Sequence, residues 1–120
     1  MAVKTHISES GKYLVCRVDE PITLEVIQEM SLQMKKLAEE TGVNRRLIDA
    51  RGTTNMMSVV ANYDLAYKDM DAMQIDRATK IAALRLPTKE AGFASTAIKN
   101  AGFNLRIFTD EADAVAWLEE

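Results

Sequence analysis

Residues whose types could support chemistry concentrate in one polar segment near the middle of the chain. Asp49 and Arg51 follow a short apolar run, and hydroxyl, amide and thioether side chains come next: Thr53, Thr54, Asn55, Met56, Met57 and Ser58. A carboxylate beside a guanidinium could take part in acid/base chemistry or bind an anion. The alternative is that Asp49 caps a loop beside a solvated arginine, while the hydroxyl and amide groups cap a helix. The sequence leaves both interpretations open.

The remaining chemistry-bearing residues argue against an enzyme. His6 is the single histidine and lies in an extended segment, so histidine-dependent nucleophilic catalysis would rely on an edge strand. Cys16 lies in an apolar strand, where a buried thiol is commoner than a reactive one. No His, Cys and carboxylate group has metal-ligand spacing, and no glycine-rich phosphate-binding motif occurs. We therefore expect a non-enzymatic protein that needs no metal and no cofactor.

Composition sets the broad class of the protein. The 120 residues are 48% apolar and 28% charged, which fits a single globular domain spanning residues 1–120. The net charge of −3 argues against a nucleic-acid partner, and no apolar run is long enough to insert into a membrane. One cysteine allows no internal disulfide, and the N-terminal residues do not resemble a signal peptide. These features predict a cytoplasmic location.

Hydrophobic patterning predicts the elements that position the polar segment. Alternating or continuous apolar runs predict five strands, at residues 3–7, 13–18, 46–50, 81–86 and 105–108. Apolar residues at intervals of three and four predict four helices. The first predicted helix runs from a Thr23 cap to Gly42, and its inward residues are Ile27, Met30, Met34 and Leu37. The second begins between Asn55 and Ser58, and its inward residues are Val59, Tyr63, Ala66, Met70 and Met73. The third follows Thr88 and ends near Gly102, and the fourth is capped by Thr109 or Asp110.

The resulting order, ββαβαβαβα, predicts an α/β fold with a mixed, mostly parallel five-stranded sheet. Right-handed helical crossovers would link the parallel strands, with the N-terminal hairpin strand antiparallel at one edge and residues 81–86 central. Ligands of such sheets bind at the carboxyl ends of the strands. This edge is where Asp49 and the polar segment are expected.

Several stretches resemble the SpoIIAA-like family, relatives of the STAS domains of anti-sigma-factor antagonists and sulfate transporters. They are Arg45-Arg46-Leu47-Ile48 leading into Asp49-Ala50-Arg51-Gly52, Ser58 followed by Tyr63, Lys80-Ile81-Ala82-Ala83-Leu84, and Asn104-Leu105-Arg106-Ile107-Phe108-Thr109-Asp110-Glu111-Ala112 leading to Ala116-Trp117-Leu118. The resemblance covers almost the whole chain, and the C-terminal stretch is its most specific part. It implies the same ββαβαβαβα fold.

The resemblance also implies two kinds of function. STAS antagonists are switched by phosphorylation of a serine in an Asp-Ser-Ser-Gly motif, but Ala50 and Arg51 occupy both serine positions here, which leaves Thr53, Thr54 or Ser58 as nearby acceptors. A regulatory domain that binds a protein partner is the first hypothesis. Other relatives resemble the CRAL-TRIO lipid-transfer fold, and the methionines around the second predicted helix are compatible with a small apolar or anionic ligand. A carrier or sensor is therefore the alternative, and a homodimer is a further expected assembly.

Overall fold

The computed structural model describes residues 3–53, 78–86 and 101–120. Five strands and two helices lie in these ranges: β1 (Val3–Ile7), β2 (Leu14–Val18), α1 (Leu24–Thr41), β3 (Arg46–Asp49), β4 (Ile81–Leu84), β5 (Leu105–Phe108) and α2 (Glu111–Leu118). All five predicted strands are present. Three are shorter than predicted, because Tyr13, Ala50, Arg85 and Leu86 lie outside the ladders.

The sheet has the strand order β1-β2-β3-β4-β5, with β1 antiparallel to β2 and the other pairs parallel. The mixed sheet and the antiparallel edge strand are confirmed. Residues 81–86 are predicted as a central strand, and β4 is an interior strand that lies between β3 and β5. The second and third predicted helices fall outside the described residues.

Local signals determine where the two described helices begin and end. The Thr23 side chain accepts a hydrogen bond from the Val26 backbone N–H at 3.3 Å, which caps α1 as predicted. Gly42 ends α1 with φ at 76°, a left-handed conformation that glycine adopts without steric cost. At the start of α2, Asp110 rather than Thr109 is the cap, since its carboxylate accepts from the Ala112 N–H at 2.8 Å.

Two apolar clusters lie on opposite faces of the sheet. On the α1 face, Cys16 and its β1 and β2 neighbours pack against a helix stripe. The buried members of that stripe are Val26, Met30, Ser31 and Met34. Ile27 and Leu37, predicted to point inward, are half-buried, because α1 lies over β1 and β2 at the sheet edge and its rotation is set by those two strands. On the α2 face, the cluster contains Leu47, Ala82, Leu84, Ala114, Trp117 and Leu118.

Candidate functional site

The candidate site lies at the edge of the sheet where the four parallel strands end. Because β2 to β5 run in one direction, the segments that follow them meet at this edge. These segments begin at Asp19, Ala50, Arg85 and Thr109. The turn after β3 stays attached to the next strand, since the Ala50 N–H donates to the Leu84 carbonyl at 2.9 Å. The first part of the predicted polar segment, residues 49–53, is therefore held at this edge.

Asp49 and Arg51 form a hydrogen-bonded ion pair at the end of β3. The Asp49 carboxylate accepts from Arg51 Nε at 3.0 Å, from Arg51 Nη2 at 2.9 Å, and from the Arg51 backbone N–H at 3.2 Å. These hydrogen bonds hold the pKa of the Asp49 carboxyl below its usual range, and the bonds from the Arg51 side chain are the largest cause. Asp49 is thus an ionised carboxylate that both caps the turn and fixes the arginine.

Arg51 also connects the turn to the C-terminal helix. Its Nη2 donates to Glu111 Oε1, in the first turn of α2, at 3.2 Å. The Arg51 side chain is 40% exposed, and the Glu111 side chain is 57% exposed. The hydrogen bonds to Asp49 and Glu111 raise the pKa of the guanidinium further, with the Asp49 bond the largest cause. Glu111 is absent from the predicted site residues, because 60 positions separate it from Arg51 and no local pattern links the two.

Gly52 and Thr53 join the same turn to the end of β2. A Cβ added at Gly52 would lie 3.3 Å from Asp19 Oδ1, a close approach that glycine permits without displacing the carboxylate. The Thr53 hydroxyl donates to the backbone carbonyl of Glu20. Thr53 is half-buried in this position, so phosphorylation there would have to break that hydrogen bond. This makes Thr53 a poor replacement for the missing serine of the STAS motif.

The other predicted site residues, Thr54, Asn55, Met56, Met57 and Ser58, lie outside the described residues. Their participation in binding stays a prediction. Of the predicted set, the structure brings together Asp49, Arg51 and Thr53, and it adds Asp19, Gly52 and Glu111.

The two residues with nucleophile or base chemistry are kept apart. Cys16 is fully buried on the α1 face, where burial raises the pKa of its thiol to about 12. His6 is exposed, and its position in β1 places it on the opposite face of the sheet, because Thr5 is the register partner of Cys16. A Cys–His pair therefore does not form between these two residues.

Arg46 is the unusual charged residue of the α1 face. It lies in β3 between Leu14 and Ile81, which are both buried. Its Nε is buried and has no hydrogen-bond partner, and burial lowers the pKa of the guanidinium. An arginine keeps its positive charge under such conditions. The α1 face thus contains a cation whose polar atoms are incompletely satisfied by the residues that the structure describes.

Within residues 3–53, 78–86 and 101–120, no three His, Cys, Asp or Glu side chains are placed to hold a metal ion. In those same ranges, neither helix is both long and apolar enough to cross a bilayer.

Comparison with solved structures establishes the type of fold. The chain is similar to an uncharacterized protein of the DUF3478 family with a SpoIIAA-like fold from Shewanella loihica PV-4, with a TM-score of 0.56 and 20% sequence identity. The match covers 98% of this chain and 92% of that one. No protein-family model matches the chain, and no curated protein is significantly similar to it. The fold is therefore SpoIIAA-like, as the sequence resemblance implied.

Proposed function

We propose that the protein is a non-enzymatic regulatory or protein-interaction domain whose partner binds the Arg51 guanidinium at the carboxyl edge of the sheet. The observation behind this proposal is that two carboxylates on different elements, Asp49 after β3 and Glu111 in α2, hold a partly exposed arginine in one orientation. Arginines are frequent hot spots of protein interfaces. An arginine whose orientation is already fixed loses little side-chain entropy when a partner binds.

Arg51 has donors to offer such a partner. Its contacts use Nε and Nη2, so among residues 3–53, 78–86 and 101–120 the two N–H groups of Nη1 have no acceptor. A carbonyl or carboxylate oxygen of a partner would satisfy them. The lowered pKa of Asp49 makes its carboxylate a weak base, which supports a role in binding rather than in proton transfer.

The test is affinity purification with the tagged chain from cells that express it, followed by titration of the captured protein. We expect Arg51→Ala and Arg51→Lys to weaken binding by about tenfold or more, since a lysine lacks the planar fork of donors. Lys36→Ala is the matched control, because it removes an exposed cation from α1, away from this edge. Equal affinity of the wild-type chain and the Arg51→Ala variant would contradict the proposal.

Arg46 supports a second candidate function, transport or sensing of an apolar ligand with an anionic group. A cation surrounded by buried Leu14 and Ile81 is suited to bind a carboxylate whose apolar tail lies against the same face. Titration with a fluorescent fatty acid tests this function. Binding by the wild-type chain and by Arg106→Met, together with its loss in Arg46→Met, would favour a carrier over an interaction domain.

A further inference from the structure

Of the two helices that the structure describes, only α2 packs on the second face of the sheet, and it covers part of the width of that face. α2 packs on β3, β4 and β5, while α1 lies on the opposite face. Neighbouring strands lie about 4.8 Å apart, so five strands span about 19 Å, and packed helices lie about 10 Å apart. Neither described helix lies over β1 and β2 on this face, a width that would accommodate one helix beside α2. Lys4, His6 and Arg17 occupy this open half and are exposed.

Basic side chains line the open half of this face, over β1 and β2, and they favour an acidic binding partner. Lys4 and Arg17 are register partners in the antiparallel β1–β2 ladder, so two positive side chains stand directly opposite each other. Such like-charge pairs destabilise a hairpin unless a negative group lies close by. Arg17 contacts Asp19 at 3.4 Å, whereas Lys4 has no ion pair with the residues that the structure describes. The side chain of Arg17 remains 65% exposed.

The outer surface of α2 has the complementary shape and charge. Ala114, Trp117 and Leu118 face the sheet, so the helical period places Ala112 and Ala116 on the outer side. Both alanines are exposed, and their small side chains permit close approach of another surface. Asp113 in α2 and Glu120, just beyond the end of the helix, are both exposed, and no basic residue occurs between Asp110 and Glu120. The Glu120 carboxylate lies 3.7 Å from Lys80 Nζ, and its side chain remains 69% exposed.

We propose that two copies of this chain associate face to face, with the α2 helix of each copy lying on the open β1–β2 half of the other. A two-fold axis between the sheets generates both contacts at once, because the basic half and the acidic helix belong to the same face of each copy. The two helices then lie side by side in one layer and cover the full width of both sheets. Lys4 and Arg17 gain carboxylate partners, which relieves their mutual repulsion.

The test uses two charge-reversal variants with static light scattering after size-exclusion chromatography. Lys4→Glu/His6→Glu makes the open half acidic, and it leaves the hairpin intact because the new carboxylate at position 4 faces Arg17. Asp113→Lys/Glu120→Lys makes the outer surface of α2 basic. We expect a dimer of the 13.4 kDa wild-type chain, weakening at high salt, and a monomer for each variant alone.

Mixing the two variants provides the decisive measurement. In a mixed dimer both contacts pair an acidic surface with a basic one, so an equimolar mixture should restore the dimer, which a misfolded variant could not do. Ala116→Trp, which blocks the outer surface of α2 sterically without a charge change, should also give a monomer. A wild-type monomer at about 100 µM, a concentration that reveals weak association, would overturn the proposal. Dimeric variants, or a mixture that stays monomeric, would equally overturn it.

Discussion

Replacing Asp49 with alanine should destabilise the protein more than replacing Arg51, although the two residues form one ion pair. Asp49 accepts two hydrogen bonds from the Arg51 side chain and a third from its backbone N–H. The Arg51→Ala variant loses the ion pairs but keeps the backbone bond that caps the turn. The Asp49→Ala variant loses the Asp49–Arg51 ion pair and the capping bond, while the Arg51–Glu111 pair remains. The Asp49 side chain is also only 14% exposed, compared with 40% for Arg51.

The expected magnitudes follow from these contacts. An ion pair at this exposure contributes about 0.2–1 kcal/mol, and a turn-capping hydrogen bond about 0.5–1.5 kcal/mol. We expect Arg51→Ala to lower the free energy of unfolding by about 0.5–1 kcal/mol and Asp49→Ala by about 1.5–2 kcal/mol. The difference between the variants, about 1 kcal/mol, corresponds to about 3–5 °C in Tm for a domain of this size.

Urea unfolding followed by Trp117 fluorescence measures both variants, and the double variant completes a thermodynamic cycle. The double variant should be no less stable than Asp49→Ala by more than a few tenths of a kcal/mol, because the carboxylate is the shared partner. A loss of stability in Arg51→Ala equal to or larger than that in Asp49→Ala would refute this account of the turn.

The same pair predicts a pH dependence with a definite sign. The pKa of Asp49 is lower in the folded chain, so its contribution to stability is present above the unfolded pKa of about 3.9 and is lost as pH falls through the folded pKa. The stability difference between the wild-type chain and Asp49→Asn should therefore be constant near neutral pH and shrink below about pH 4. A difference that does not change between neutral pH and pH 3 would contradict the interpretation.

Two further predictions concern the two faces of the sheet. Because burial raises the pKa of the Cys16 thiol to about 12, a thiol-specific reagent at pH 8 should label the native chain far more slowly than the urea-unfolded chain, and equal rates would show that Cys16 is accessible. On the other face, the Arg106 guanidinium lies 5.4 Å from the Trp117 ring centroid and 5.5 Å from that of Phe108. Arg106→Ala should cost about 0.5–1 kcal/mol and change the Trp117 emission, whereas Lys36→Ala should do neither.

Patterns within short segments of the sequence were sufficient to locate the described elements. Thr23 and Gly42 were predicted as the ends of α1, and the structure has a cap and a left-handed glycine at those positions. The predicted bounds of β5 match the observed strand, since its apolar run is flanked by polar residues on both sides. These signals are local, because helix capping and strand alternation depend on residues only a few positions apart in the chain.

The candidate site depended on contacts that no local pattern encodes. The sequence predicts that Asp49 and Arg51 lie at the carboxyl edge of the sheet. Only the conformation of the turn shows that the Asp49 carboxylate is paired with Arg51 and not free. The contact of Arg51 with Glu111 joins residues 60 positions apart, and the approach of Gly52 to Asp19 depends on the pairing of β2 with β3. The choice of Val26 and Ser31 over Ile27 for burial was set by the strands beneath α1. The sequence by itself located the described elements and most of their ends. The tertiary structure decided which side chains meet, because strand pairing and helix rotation depend on surfaces distant in the chain.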